Sequence, residues 1–152
     1  MPNSSRFAIA VHVLTLLARY SGQPVKSGFL AESVNTNPVV IRRLLCALAQ
    51  GGLVVSQTGA AGGTWLARPP EQISLWEIYR IVELGPLFAL HRQQPNQHCL
   101  VGRHIEEVLS DIQKDTETAL AQVLTQTSVM DVARLVGPCG MPEAVEEFSV
   151  IL

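Results

Sequence analysis

Polar breaks divide the apolar positions of this chain into segments of distinct period. From Phe7 to Ala18 almost every position is apolar: Ala8, Ile9, Ala10, Val11, Val13, Leu14, Leu16 and Leu17 lie between. Ser4-Ser5 precede the run, and Ser21-Gly22 and Pro24 follow it. This predicts a first helix capped by Ser4 or Ser5 and reaching about Tyr20, buried on several sides because it is apolar nearly all round. His12 falls inside it as a packed or rim histidine, since no second metal ligand follows at helical spacing. Ser27 then serves as N-cap of a short helix with Phe29, Leu30, Ala31 and Val34 on its apolar face. Asn35-Thr36-Asn37-Pro38 interrupts. Asn37 caps the next helix and Pro38 suits its first position, where no amide donor is needed. That helix runs to about Gln50. Ile41, Leu44, Leu45 and Leu48 line one face, and Val39, Val40, Arg42, Arg43, Cys46 and Gln50 fall on the others. Gly51-Gly52 ends it. The pattern then becomes strand-like over Leu53-Val54-Val55-Ser56 and again over Thr64-Trp65-Leu66, around a glycine-rich tip, Gly59-Ala60-Ala61-Gly62-Gly63. Trp65 is expected in the core.

Arg68-Pro69-Pro70 is a stiff linker. Ser74 and Glu77 have capping-box spacing ahead of a helix to about Glu83, which Gly85-Pro86 stops. Residues 84 to about 99 are irregular, a loop longer than most. Helix resumes near Val101. Ile105, Leu109, Ile112, Thr116, Ala119 and Val123 recur at the four-three alternation of a heptad seam, with Glu106, Glu107, Asp111, Lys114, Asp115 and Glu117 off it. The preceding elements suffice for a core of their own, so this long helix is expected to dimerise. Thr127-Ser128 and Asp131 cap a last short helix, Val129 to Val136, ended by Gly137-Pro138. The tail from Cys139 to Leu152 is acidic and receives no element.

The resulting fold class is mainly α with a small β-wing: a winged helix-turn-helix plus a long dimerisation helix. Its divisions are 1–83 for the DNA-binding domain, 84–100 for the loop, 101–136 for the dimerisation and short C-terminal helices, and 137–152 for the tail.

Apolar residues make up 47% of the chain, which argues for a folded globule and against disorder. No apolar run reaches membrane-spanning length, and the first five residues lack the pattern of a signal peptide. The three cysteines are widely spaced and odd in number, so a disulfide framework is not expected and a reducing cytoplasm is the simplest setting. The net charge of −2 alone speaks against nucleic acid, but its distribution reverses the inference. Residues 1–70 carry Arg6, Arg19, Lys26, Arg42, Arg43 and Arg68 against Glu32 alone, while the remainder carries five basic and twelve acidic residues. The basic half is the half with the helix-turn-helix.

Reading DNA needs donors at a helix start and positive charge along its flank. Thr36 and Asn37 stand at the start of the 38–50 helix, where short polar side chains and backbone amides meet phosphates or base edges. Arg42 and Arg43 suit guanine or phosphate, and Val39 and Val40 suit thymine methyls. Arg6 and Lys26 are candidate phosphate contacts. Gly59, Gly62 and Gly63 permit close backbone approach at the wing. No catalytic motif has its local signature, so an enzyme is not expected. A winged helix used for protein–protein binding, without specific DNA recognition, is the alternative.

On these residues the chain resembles a family, the small dimeric winged-helix transcription regulators of bacteria that include IscR, NsrR and CymR (the Rrf-two family). The resemblance covers Ser5 to about Val136. It rests on the run from Arg6 to Val11, on Leu30-Ala31-Glu32, on Asn37 to Leu45, on the Gly62-Gly63 wing, on Ile73 to Ile78 and on the long helix. It implies a homodimer that binds a roughly palindromic operator and usually represses, with the 38–50 helix in the major groove and the wing in the minor groove. Two departures matter. Many relatives carry arginine just before the wing glycine, where this chain has Thr58. Cluster-binding relatives place three cysteines in the loop and the start of the long helix, where this chain has Cys99 alone. That places it closer to the branch without an iron–sulfur cluster, and no cofactor is expected. Some members of that branch sense oxidants through thiols, and the candidates here are Cys46 and Cys99. Cys46 shares a helix side with Arg43, and cations favour thiolate. His91, His98 and His104 flank Cys99 in sequence but match no standard zinc spacing, so no metal is expected.

Overall fold

The protein's structure, a computed structural model, is described for residues 4–137. Six helices and one hairpin follow in the order α1 (Arg6–Arg19), α2 (Ser27–Val34), α3 (Pro38–Gln50), β1 (Val54–Gln57), β2 (Gly63–Leu66), α4 (Leu75–Val82), α5 (Leu100–Thr125) and α6 (Val129–Val136). A 3-10 turn, Pro70–Gln72, starts at the last residue of the expected Arg68-Pro69-Pro70 linker. The tail expected to be without an element, from Cys139 on, lies outside the described residues.

Local chemistry accounts for the boundaries. Asn37 caps α3, its side chain accepting from the Val39 amide at 2.8 Å, with Pro38 in the first turn. Ser74 with Glu77 and Ser128 with Asp131 both close complete capping boxes. Two terminal details differ from expectation. Ser27 is the first residue of α2, and the cap position belongs to Lys26, which makes no side-chain capping bond. At the end of α3 Gly51 keeps a right-handed conformation, and the left-handed residue is Gly52 at φ 76°.

α1 is the centre of the core. Ala10, Val13, Leu14 and Leu17 are buried, and so are Leu30 and Ala31 of α2, Ile41, Leu44, Leu45 and Leu48 of α3, and Ile78 and Val82 of α4. Each large member contributes about 1.5–3 kcal/mol by leaving water. The hairpin pairs antiparallel with Val55 opposite Trp65 and Ser56 opposite Thr64. Trp65 is half-buried and stands outside the core, contrary to expectation; the neighbouring Leu66 packs there instead.

α5 has no fully buried residue. Its half-buried positions include Glu106, Leu109, Gln113, Glu117 and Leu124, and the helix packs on α4. Of the heptad seam, Ile105 and Leu109 are half-buried, while Ile112, Thr116, Ala119 and Val123 are exposed. Thr116 returns its hydroxyl to the Ile112 carbonyl at 2.8 Å, so it leaves no unpaired donor on that face. Beyond α5 the chain reverses, and α6 packs on α1, with Val129 in the common core. Arg19 donates to the carbonyls of Ala133 and Gly137 at 3.3 and 2.9 Å, satisfying carbonyls at the end of α6. Backbone bonds from Leu75 to Thr127 and from Val129 to Ile73 tie the start of α4 to the start of α6.

Candidate nucleic-acid interface

The sequence of α3 sorts its side chains by burial. Ile41, Leu44, Leu45 and Leu48 face the core, which leaves Val39, Val40, Arg42, Arg43, Cys46 and Gln50 exposed. Val39 and Val40 are 45% and 43% exposed, unusual for valines in a small core-forming unit. They stand in the first turn of α3, where the unpaired amides and the positive end of the helix dipole lie. Asn37 spends its side-chain oxygen on the cap, so its amide nitrogen is the group left to meet a ligand. Thr36 is half-buried behind it, its amide donating to the Ala31 carbonyl at 2.9 Å. The turn between the helices is set by Asn35, left-handed at φ 60°.

Arg6, at the first position of α1, joins this surface. Together with Arg43, Val40, Ile9 and Leu44 it lines a depression of about 300 Å³. Arg6, Arg42 and Arg43 are exposed and have no carboxylate partner among the described residues. Their charge is therefore not neutralised by a carboxylate among the described residues. Apolar groups beside unneutralised guanidinium groups at a helix N-terminus are the equipment for reading a base edge while holding phosphate.

The wing residues divide. Gly59 sits at the open tip with φ 99°, where a side chain would be strained, and nothing lies within 4 Å of its missing Cβ. Gly62 and Gly63 answer to the fold instead. A Cβ on Gly62 would collide with the Gln57 carbonyl oxygen, and one on Gly63 would come within 2.9 Å of Pro24. Their small size is used inside the protein, so close approach to DNA is not what requires glycine there. Lys26, expected as a phosphate contact, donates to the wing carbonyls of Gly59 and Ala60, both at 2.9 Å. Sequence reasoning had no means of seeing that bond, because it joins positions 33 and 34 residues apart.

Cys46 is exposed one turn beyond Arg42 and Arg43, and Cys99 is exposed at the cap of α5. His12 is exposed at the rim, its Nε2 at 2.9 Å from the Ser33 hydroxyl. Among the described residues no three His, Cys, Asp or Glu side chains come together as a metal set. An iron–sulfur cluster needs several thiolates, and the 84–99 loop supplies one. The donors among the described residues do not fit that group.

A family model described as an iron-dependent transcriptional regulator, Rrf2, matches residues 3–135. YwnA of Bacillus subtilis, described as an HTH-type transcriptional regulator, is 37% identical over 130 residues, covering 85% of this chain and 95% of that protein. A crystal structure described as that of a DNA-binding protein superposes with a TM-score of 0.68 at 33% identity, covering 84% of this chain and 98% of the other. CymR, the global cysteine regulator of B. subtilis, shares the fold with a TM-score of 0.63 at 24% identity, covering 89% and 98%.

Proposed function

Because the chain belongs to the Rrf2 family of DNA-binding transcriptional regulators, we propose that it acts in the cytoplasm as a homodimeric repressor of a roughly palindromic operator. α3 enters the major groove and the wing reaches the adjacent minor groove. Arg42 and Arg43 meet guanine or phosphate, Val39 and Val40 meet thymine methyls, Thr36 and Asn37 meet the backbone at the helix start, and Arg6 holds a neighbouring phosphate. The observation that carries this reading is the exposed first half of α3. Two valines, and two arginines without carboxylate partners among the described residues, stand there in water, on a helix whose other face is used by the core. Dimerisation runs along the exposed part of α5, through Ile112, Thr116, Ala119 and Val123, with Ile105 and Leu109 flanking. Any response to oxidants is carried by Cys46 or Cys99, the former because oxidation beside Arg42 and Arg43 alters the reading surface itself.

The test is binding-site selection from pooled random DNA, followed by titration of the selected duplex at several salt concentrations. Arg43→Ala is expected to weaken binding. A phosphate contact lowers the salt slope by about 0.9, whereas a base contact costs about 1–3 kcal/mol and relaxes sequence preference at one position. Unchanged affinity with the fold intact removes Arg43 from the interface. Selection of no sequence, together with no salt-dependent binding to sheared DNA, favours the protein–protein module instead.

A further inference from the structure

Lys26 stands at the cap of α2, yet its side chain does nothing for that helix. It crosses to the wing and donates to the Gly59 and Ala60 carbonyls, each at 2.9 Å. The residues beside it are joined to the same hairpin. The Val25 amide donates to the Thr64 carbonyl at 2.9 Å, and the Thr64 amide donates back to Val25 at 2.8 Å. Gly63 presses so closely on this segment that its missing Cβ would stand 2.8 Å from the Val25 nitrogen. Thr64 is itself buried and bonded through its hydroxyl to Ser56 at 2.8 Å. Backbone and packing therefore fix the base of the wing. The tip, residues 58–62, has one internal backbone bond, from the Gly62 amide to the Gly59 carbonyl at 3.1 Å. Among the described residues, Lys26 is the side chain that holds it to the body of the protein.

We propose, resting on the DNA-binding reading above, that Lys26 is a positioning residue for the wing. Its ammonium orders the tip before DNA arrives, so the ordering entropy is already spent when the complex forms. It also covers two carbonyl oxygens whose negative ends would otherwise face phosphate. Wing and reading unit then approach the duplex as one body, since Lys26 belongs to the entrance of the helix-turn-helix.

The experiment uses the full chain and a labelled duplex selected by the wild-type protein from a random pool. Lys26→Met keeps the aliphatic stem and removes the donors. It is expected to weaken binding about tenfold, which corresponds to about 1.4 kcal/mol. The salt slope is expected to stay unchanged, while backbone amides at 59–62 exchange faster in the free protein. Lys26→Arg is expected to restore affinity and protection. In a chain whose residues 58–62 are replaced by a two-residue Asn-Gly turn, a hairpin connection strands favour, Lys26→Met is expected to have no further effect. Should the short-wing chain not fold, the salt slope and the exchange rates decide. A slope lowered by about 0.9 marks a direct phosphate contact and overturns the proposal. So does unchanged exchange at the tip, or a loss of affinity that tracks thermal stability and is not rescued by arginine. If the wild-type chain selects no duplex, the failure belongs to the DNA-binding reading, and amide exchange at 59–62 still decides whether Lys26 holds the tip.

Discussion

Placing carboxylates on the exposed side of α5 separates a seam between two chains from a face that water covers. Ile112 and Val123 are 49% and 64% exposed, so a partner helix has about half of each side chain left to bury. Full burial of such side chains is worth about 1.5–3 kcal/mol. The remaining fraction is then worth roughly 1.2 kcal/mol per position. A two-fold dimer repeats each position, which brings the loss for the pair to roughly 5 kcal/mol. That is more than three factors of ten in the dimer constant, before the cost of desolvating four carboxylates is added. Sedimentation of the Ile112→Glu, Val123→Glu chain at micromolar concentration should therefore show monomers, with helical circular dichroism retained. Neither residue belongs to the core, so unfolding is not expected. A folded dimer that persists would refute the seam. Loss of helical signal in the monomer would show that this face is needed inside one chain.

Two further outcomes follow from local chemistry. Partial burial pushes the Glu77 carboxyl up, but the Arg68 hydrogen bond and charge and the bonds to Ser74 outweigh it and hold the carboxyl below its ordinary value of 4.5. A depressed carboxylate stabilises the fold above that value and loses its contribution as pH falls through the folded value. Thermal midpoints measured downward from pH 5 should thus fall less steeply for Glu77→Gln, which keeps the cap but has no charge to lose. Protein purified anaerobically should be colourless, and Cys46→Ser with Cys99→Ser should retain DNA after peroxide or hypochlorite treatment; visible cluster absorbance, or release of DNA by the double variant, would each count against this.

The elements were legible where short-range chemistry decides them. Asn37-Pro38, Ser74 with Glu77 and Ser128 with Asp131 set helix starts through bonds spanning three residues or fewer, and the structure keeps all three. The α3 face was legible because four leucine and isoleucine positions at helical period leave the remaining side chains nowhere but the surface. What could not be read are the contacts between distant segments. The bridge from Val25 to Thr64, the reach of Lys26 to the wing tip, the packing of Gly63 on Pro24 and the return of α6 to α1 leave no periodic trace. Trp65 misled for a related reason: size favours burial, but strand alternation in a two-stranded wing puts it on the less covered side.

α5 is a lever arm. Its 26 residues extend about 39 Å at 1.5 Å per residue. The reading unit grips it twice, along α4 and, past Thr125, through α6 and the Arg19 bonds to Ala133 and Gly137. With both grips closed, the head has little freedom to lag behind the arm. In the dimer proposed above, a change in the crossing angle of the two arms carries each head with its arm. On that proposal, a rotation at the crossing would move the two heads together relative to the half-sites of an operator.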